Sequence, residues 1–203
     1  MILSLNPFYE KDGFYIDTDV SFEEDGDFEA TVHKYFIRTG FDLKFVDDEF
    51  VETEDRVATI KAVFLRYNNI INDGVDFVDA VDTINTPYTE DIVRAVTTLI
   101  SQRLLPKRQN SISLICYLSR VYVYPNFRNK GVASYIFENL QEIFEYIIGE
   151  KTNLVIVYPQ PQEPTKGKWY NVEDKAMQEK MVSKLTQNYY KPIGDAGFYF
   201  KTY

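Results

Sequence analysis

Val121-Tyr122-Val123-Tyr124-Pro125-Asn126-Phe127-Arg128-Asn129-Lys130-Gly131-Val132-Ala133 joins a strand pattern to a helix pattern through a turn. Upstream, Ser111 to Tyr124 carries apolar residues at alternate positions, as a half-buried strand does. Ile112, Leu114, Cys116 and Leu118 take the even positions, whereas Val121 and Val123 take odd ones. Such a change of phase inside one strand predicts a bulge or an end of pairing, although Ile115 and Tyr117 blur the alternation. Downstream of Ser134 the period becomes helical. Ile136, Leu140, Ile143, Phe144 and Ile147 form one apolar stripe that Gly149 ends.

A strand, a turn and a helix in this order make an anion site. The first N–H groups of a helix have no acceptor within it and lie at the positive end of its dipole, so they suit a pyrophosphate. Gly131 lets the backbone approach an anion with no Cβ in the way, and Ala133 keeps the next position small. Arg128 and Lys130 add positive charge. The plain alternative is a basic turn that only caps a helix.

Arg128-Asn129-Lys130-Gly131-Val132-Ala133 resembles the Arg/Gln-x-x-Gly-x-Gly/Ala signature of the GCN5-related N-acetyltransferases. The preceding Val-x-Val-x-Pro and the following amphipathic helix stand where that family has them. The resemblance is sharpest over residues 118 to 148 and extends loosely from 111 to 158. It implies acetyl-coenzyme A as the acetyl donor. It also implies that the strand splays from its neighbour at a bulge and pairs with the pantetheine arm through Val121, Tyr122 and Val123. Backbone N–H groups of Arg128, Asn129, Lys130, Gly131, Val132, Ala133 and Ser134 would hold the pyrophosphate. An acceptor amine, on a small molecule or a peptide, would attack directly with little covalent chemistry asked of the protein. Many members carry a Tyr four residues before a Gly-Phe as the acid. Here Ile193 stands four residues before Gly197-Phe198, which leaves Tyr190, with Tyr189 beside it, as the candidate acid or as packing beneath the sheet. The chain also ends at Tyr203 with no evident seventh strand, so that edge is expected to be open or filled by a partner chain, as in a homodimer.

Outward from this core the expected fold is mixed α/β: a central, partly parallel sheet, splayed near the cofactor strand, with helices on both faces. A single domain, 1–203, divides into divergent strands and an extra helix (1–110), a cofactor-binding core (111–158) and a C-terminal helix and strand (159–203). Phe41 to Phe45 alternates strictly, and Arg56 to Tyr67 is a second strand, closed by Asn72-Asp73-Gly74. Acidic residues Asp47 to Asp55 are expected to connect these two strands as an exposed hairpin. Thr86-Pro87 opens a helix with Ile92, Val96, Leu99 and Ile100 on one face, ending near Leu105-Pro106 before the basic loop at 106 to 110. That helix either covers the acceptor pocket or merely packs. Leu154 to Tyr158 is a short buried strand, and Pro159 to Lys168 a loop. Asn171 is expected to cap a helix carrying Met177, Met181, Val182 and Leu185, and Gly197 to Tyr203 to form a last strand.

Composition excludes several functions. The formal charge of −9 and pI near 4.7 argue against nucleic acid, whose binders displace counterions with Lys and Arg. Such acidity steers cationic acceptors or simply keeps a protein in solution. One cysteine, Cys116, excludes an internal disulfide, and one histidine, His33 in an expected strand from Thr31 to Ile37, leaves no metal centre and no nucleophile motif beside it. No long apolar run or basic leader is present, so a cytoplasmic protein without a membrane partner is expected. Acidic runs at 47 to 55 and 73 to 82 offer no single general base. Ser119, Tyr122, Trp169 and Tyr170 are candidates for the acceptor mouth, or spacing and anchoring residues. Two other readings stand beside the enzyme: an idle acyl-coenzyme A binder that kept the fold, and a structural or inhibitory acidic protein whose turn binds nothing.

Overall fold

β3, Glu52–Leu65, is the spine of the sheet, and a computed structural model shows why. It describes residues 14–17, 35–46, 52–83, 87–104, 112–165 and 168–203. Along β3, Ala58, Ile60, Ala62 and Phe64 face one core while Val63 and Leu65 face another, so both faces of the strand are dry. β1 (Phe14–Asp17) and β2 (Phe36–Val46) extend the sheet on one side, and β4 (Ile115–Val123) pairs antiparallel on the other. β5 (Leu154–Val157) is parallel to β4 and buried at all four positions. Parallel neighbours need a crossover, here supplied by α4, Val132–Ile148. β9 (Tyr199–Thr202) and the two-residue β8 (Lys191–Pro192) complete the order β1-β2-β3-β4-β5-β9-β8.

Helices cover both faces, as expected from the sequence. On one side α4 places Ile136, Leu140, Ile143 and Phe144 against Phe64, Cys116, Leu118 and Val155, with Phe144 edge-on to Phe64 at 4.8 Å. α5 (Lys175–Gln187) adds Leu185 to that core. On the other side α1 (Tyr67–Asn72), α2 (Phe77–Asp82) and α3 (Thr89–Ser101) bury Tyr67, Ile70, Val81, Ile92, Val96 and Leu99 against Leu65, Ile115, Tyr117 and Ile156. Burying one such side chain contributes roughly 1.5–3 kcal/mol, so the two cores, rather than helix propensity, hold these short helices.

Local readings need correction in several places. The strand from Arg56 stops at Leu65, and α1 intervenes before the Asp73-Gly74 turn. Residues 52–55 of the expected acidic connection already belong to β3. The third helix starts at Thr89 behind Tyr88, not at Pro87, and Ile100 is exposed because Ala95 takes the buried place. Pro159 to Lys168 is not simply a loop: β6 (Gln162–Thr165) and β7 (Lys168–Asn171) form a hairpin. Asp174, not Asn171, caps α5, its carboxylate accepting the Met177 N–H at 2.9 Å. The edge expected to be open carries β8, a strand too short to offer much backbone to a partner. Thr86, His33 and the basic loop at 106 to 110 lie outside the described residues.

Candidate functional site

A single inserted residue shapes the site. Ala62 on β3 faces Leu118 on β4, yet Lys61 faces Arg120, so Ser119 is bulged out of register. Its hydroxyl donates to Lys61 O at 3.1 Å. Before the bulge, Cys116 and Leu118 face the α4 core; after it, Val121 and Val123 do. The change of phase in the sequence is this bulge. Arg120 and Tyr122 are thereby turned to the opposite face, under the β6–β7 hairpin.

The bulge also marks where β4 parts from β5. Their parallel register runs from Ile115 with Leu154 to Leu118 with Val157 and stops. Tyr124 N–H donates to Val57 O on β3 at 3.0 Å. Because peptide direction alternates along a strand, the N–H and C=O groups of Val123 and Val121 point the other way, to the side where β5 has left.

Into this gap opens a cavity of about 710 Å³, walled by β4, the following turn, the start of α4, Tyr158 to Gln162 and α5. After the 3₁₀ turn Pro125–Phe127, Asn129 (φ 63°) and Gly131 (φ 84°) are left-handed, which reverses the chain into α4. A Cβ at Gly131 would meet nothing within 4 Å, so the backbone conformation rather than crowding calls for glycine. No side chain caps α4. Tyr135 N–H is the first to turn back, onto Gly131 O at 3.0 Å, so the amides of Val132, Ala133 and Ser134 are not used by the helix, and all three residues line the cavity. Arg128 is different from expectation: its N–H donates to Pro125 O at 3.2 Å and is spent inside the 3₁₀ turn. The amide row therefore starts one residue later.

Side-chain charge is distributed in a way that the sequence did not disclose. Arg128 Nε donates to Val123 O (3.0 Å), and its Nη2 pairs with Glu163 on β6 (3.0 Å). Lys130 stays off the wall, above the Phe127 ring. From α5, Lys180 and Lys184 supply two cations to the mouth, one helical turn apart, beside Met177 and Met181. Arg120, Arg128, Lys180 and Lys184 thus line the cavity against one carboxylate, Asp174, which caps α5. In a chain of net charge −9 this is a local inversion of sign. Four-residue spacing of both Lys180/Lys184 and Met177/Met181 was the available signal, and Arg120 was visible as the one charge in an apolar run.

Tyr122 is buried, its hydroxyl donating to Glu163 Oε2 at 3.2 Å and its ring edge-on to Trp169 at 4.9 Å. Burial, then the Glu163 carboxylate, raises its pKa. Trp169 is half-buried, whereas Tyr170 is exposed. Tyr190 does not line the cavity. It lies behind Phe137 and Leu185, edge-on to Phe137, with a buried hydroxyl that makes no hydrogen bond. Burial first, and the neighbouring Tyr203 second, hold its pKa well above that of a free phenol. Tyr189 is exposed. Tyr88, just before α3, hydrogen-bonds the Arg120 side chain, and its ring is 5.8 Å from that of Tyr117; the Tyr117 hydroxyl donates to Asp91 at 3.3 Å.

Among the described residues no cluster of acidic, His or Cys side chains could hold a metal, and no helix is long and apolar enough to cross a membrane. Comparison with protein-family models, curated proteins and solved structures returns no match for this chain.

Proposed function

We propose that the chain is an acetyl-coenzyme A-dependent N-acetyltransferase acting on a primary amine. One observation carries the reading: the edge of β4 that β5 has left and the uncapped start of α4 open into the same cavity. A pantetheine arm, which has peptide-like amides, matches the first; a pyrophosphate matches the second. The residues fit the group chemically, since three helix-opening amides and the cations Arg128, Lys180 and Lys184 converge where its phosphates would lie. When bound, the donor supplies an acyl thioester. The chain's own part is then to orient that group along Val121 and Val123, to screen phosphate charge, and to exclude water beneath the β6–β7 hairpin.

Isothermal calorimetry with acetyl-coenzyme A, followed by thiol release in the presence of amines, tests this. Micromolar or tighter binding with acceptor-dependent thiol release is expected. Absence of binding would remove the reading. A second reading, an idle acyl-coenzyme A binder, is favoured by the place of Tyr190 behind the cavity wall. Tight binding without turnover on any acceptor selects it.

A further inference from the structure

Arg120 is a buried cation that the site described so far does not use. It is 9% exposed, it lines the cavity beside the Ser119 bulge, and among the described residues no carboxylate pairs with it. Its contacts are with neutral groups alone. Nε donates to Gln162 Oε1 at 2.9 Å, and the plane stacks 3.9 Å above Trp169. Burial lowers its pKa, and a side-chain hydrogen bond with Tyr88 opposes that effect only in part. The residue opposite on β3 is Lys61, a second cation. A buried guanidinium with no anion is costly, and stacking on Trp169 offsets only part of that cost.

Phosphate binding does not account for it. Cations at the α4 end of the cavity are already supplied by Arg128, Lys180 and Lys184, while Arg120 faces the other side of the sheet, under the hairpin. The same cavity is also lined by neutral hydrogen-bonding groups, Ser119, Tyr158, Gln160 and Gln162, of which Gln162 contacts Arg120. A guanidinium fixed by Gln162, Trp169 and Tyr88, all neutral, and lining a cavity is suited to charge-assisted recognition of a carboxylate.

We propose that Arg120 and its neighbours form an acceptor subsite for a carboxylate, so that the acceptor is an amino-acid-like molecule bearing an amine and a carboxylate together. This rests on the acetyltransferase reading for the word acceptor, but the carboxylate subsite can be tested apart from it. Glycine, leucine and phenylalanine are titrated into the full-length protein beside their carboxamides, followed by NMR of the Trp169 indole, with and without acetyl-coenzyme A.

Carboxylates are expected to bind about ten-fold or more tighter than the matched carboxamides, as a charge-assisted hydrogen bond in a buried site requires. R120M should abolish that preference, and R120K, which keeps the charge but loses the fork, should keep only part of it. Unchanged acetyl-coenzyme A affinity in both variants is expected. If wild-type protein binds acetyl-coenzyme A yet treats acids and amides alike, the subsite falls and the enzyme reading stands. If carboxylates are preferred and acetyl-coenzyme A does not bind, the reverse holds; if neither binds, both fall. A ten-fold loss of acetyl-coenzyme A affinity in R120M, without acid preference in the wild type, would instead give Arg120 to the phosphates and overturn the proposal.

Discussion

Arg128 Nε donates to the carbonyl oxygen of Val123 at 3.0 Å, so the cation of the turn is folded back onto the end of the strand that precedes it. The same guanidinium pairs with Glu163, and both side chains are about one-third exposed, at 34% and 38%. Glu163 therefore competes with any anionic ligand for Arg128. A pair this exposed is worth about 0.2–1 kcal/mol. Glu163→Gln should raise acetyl-coenzyme A affinity by roughly 1.4- to five-fold, the equivalent of that energy, and Arg128→Ala should lower it. Calorimetry at fixed ionic strength checks both; a loss of affinity in the glutamine variant would count against the competition.

Gly131 yields a prediction about stability that is separable from binding. Because its φ is 84° and a Cβ there would meet no atom, Gly131→Ala should cost only the left-handed strain, about 1–2 kcal/mol. Asn at this position should cost less, since Asn tolerates that conformation, as Asn129 already does at φ 63°. Urea unfolding of the two variants measures the difference. Gly131→Glu should add to this strain a large loss of acetyl-coenzyme A binding, because it brings a carboxylate to the phosphate end.

Patterns of period two and 3.6 made the core of the fold readable. Residues 115–148 were legible because each apolar residue reports its own face, and the slip between Leu118 and Val121 pointed to a bulge or an end of pairing, of which the structure has the bulge. The β6–β7 hairpin was hidden because its strands are four residues long, contain Pro164 and bury little, so no alternation could develop. β8 is two residues long and is held by tertiary pairing with β9, a relation invisible to local sequence. At the site, the turn chemistry made a strand-to-helix turn through Gly131 readable. The commitment of Arg128 to Val123 and Glu163 was not, because it depends on where a distant hairpin lies.

Two buried phenols predict an alkaline weakness. Burial raises the pKa of both Tyr117 and Tyr190, with Asp91 adding to the effect at Tyr117 and Tyr203 at Tyr190. A phenol whose folded pKa lies above its unfolded value of about 10 contributes stability fully below that pH and loses it as pH rises further, because the unfolded chain releases its proton first. Unfolding free energy should be flat through neutrality and fall above about pH 10, with a shallower slope in Tyr190→Phe. That variant also removes a buried hydroxyl without a hydrogen bond. It should be as stable as the parent at pH 7 or gain up to about 1 kcal/mol, whereas a loss would mean that the hydroxyl is satisfied in solution.

Lys180 and Lys184 offer the cleanest separation of binding from folding. Both are exposed on α5 at the cavity mouth, and their side chains make no ion pair among the described residues. Reversing either charge should leave the thermal midpoint nearly unchanged, since surface substitutions of this kind fall within about 0.5 kcal/mol. Acetyl-coenzyme A affinity should nevertheless fall several-fold in Lys180→Glu and Lys184→Glu. The parent's affinity should also weaken as salt is raised from about 0.05 to 0.5 M, because exposed cations near phosphates are screened over a Debye length of about 10 Å or less at 0.1 M and above. The double variant should lose most of that salt dependence, which calorimetry across the salt series reads directly. A salt response identical to the parent's would place the phosphates elsewhere than between α5 and the start of α4.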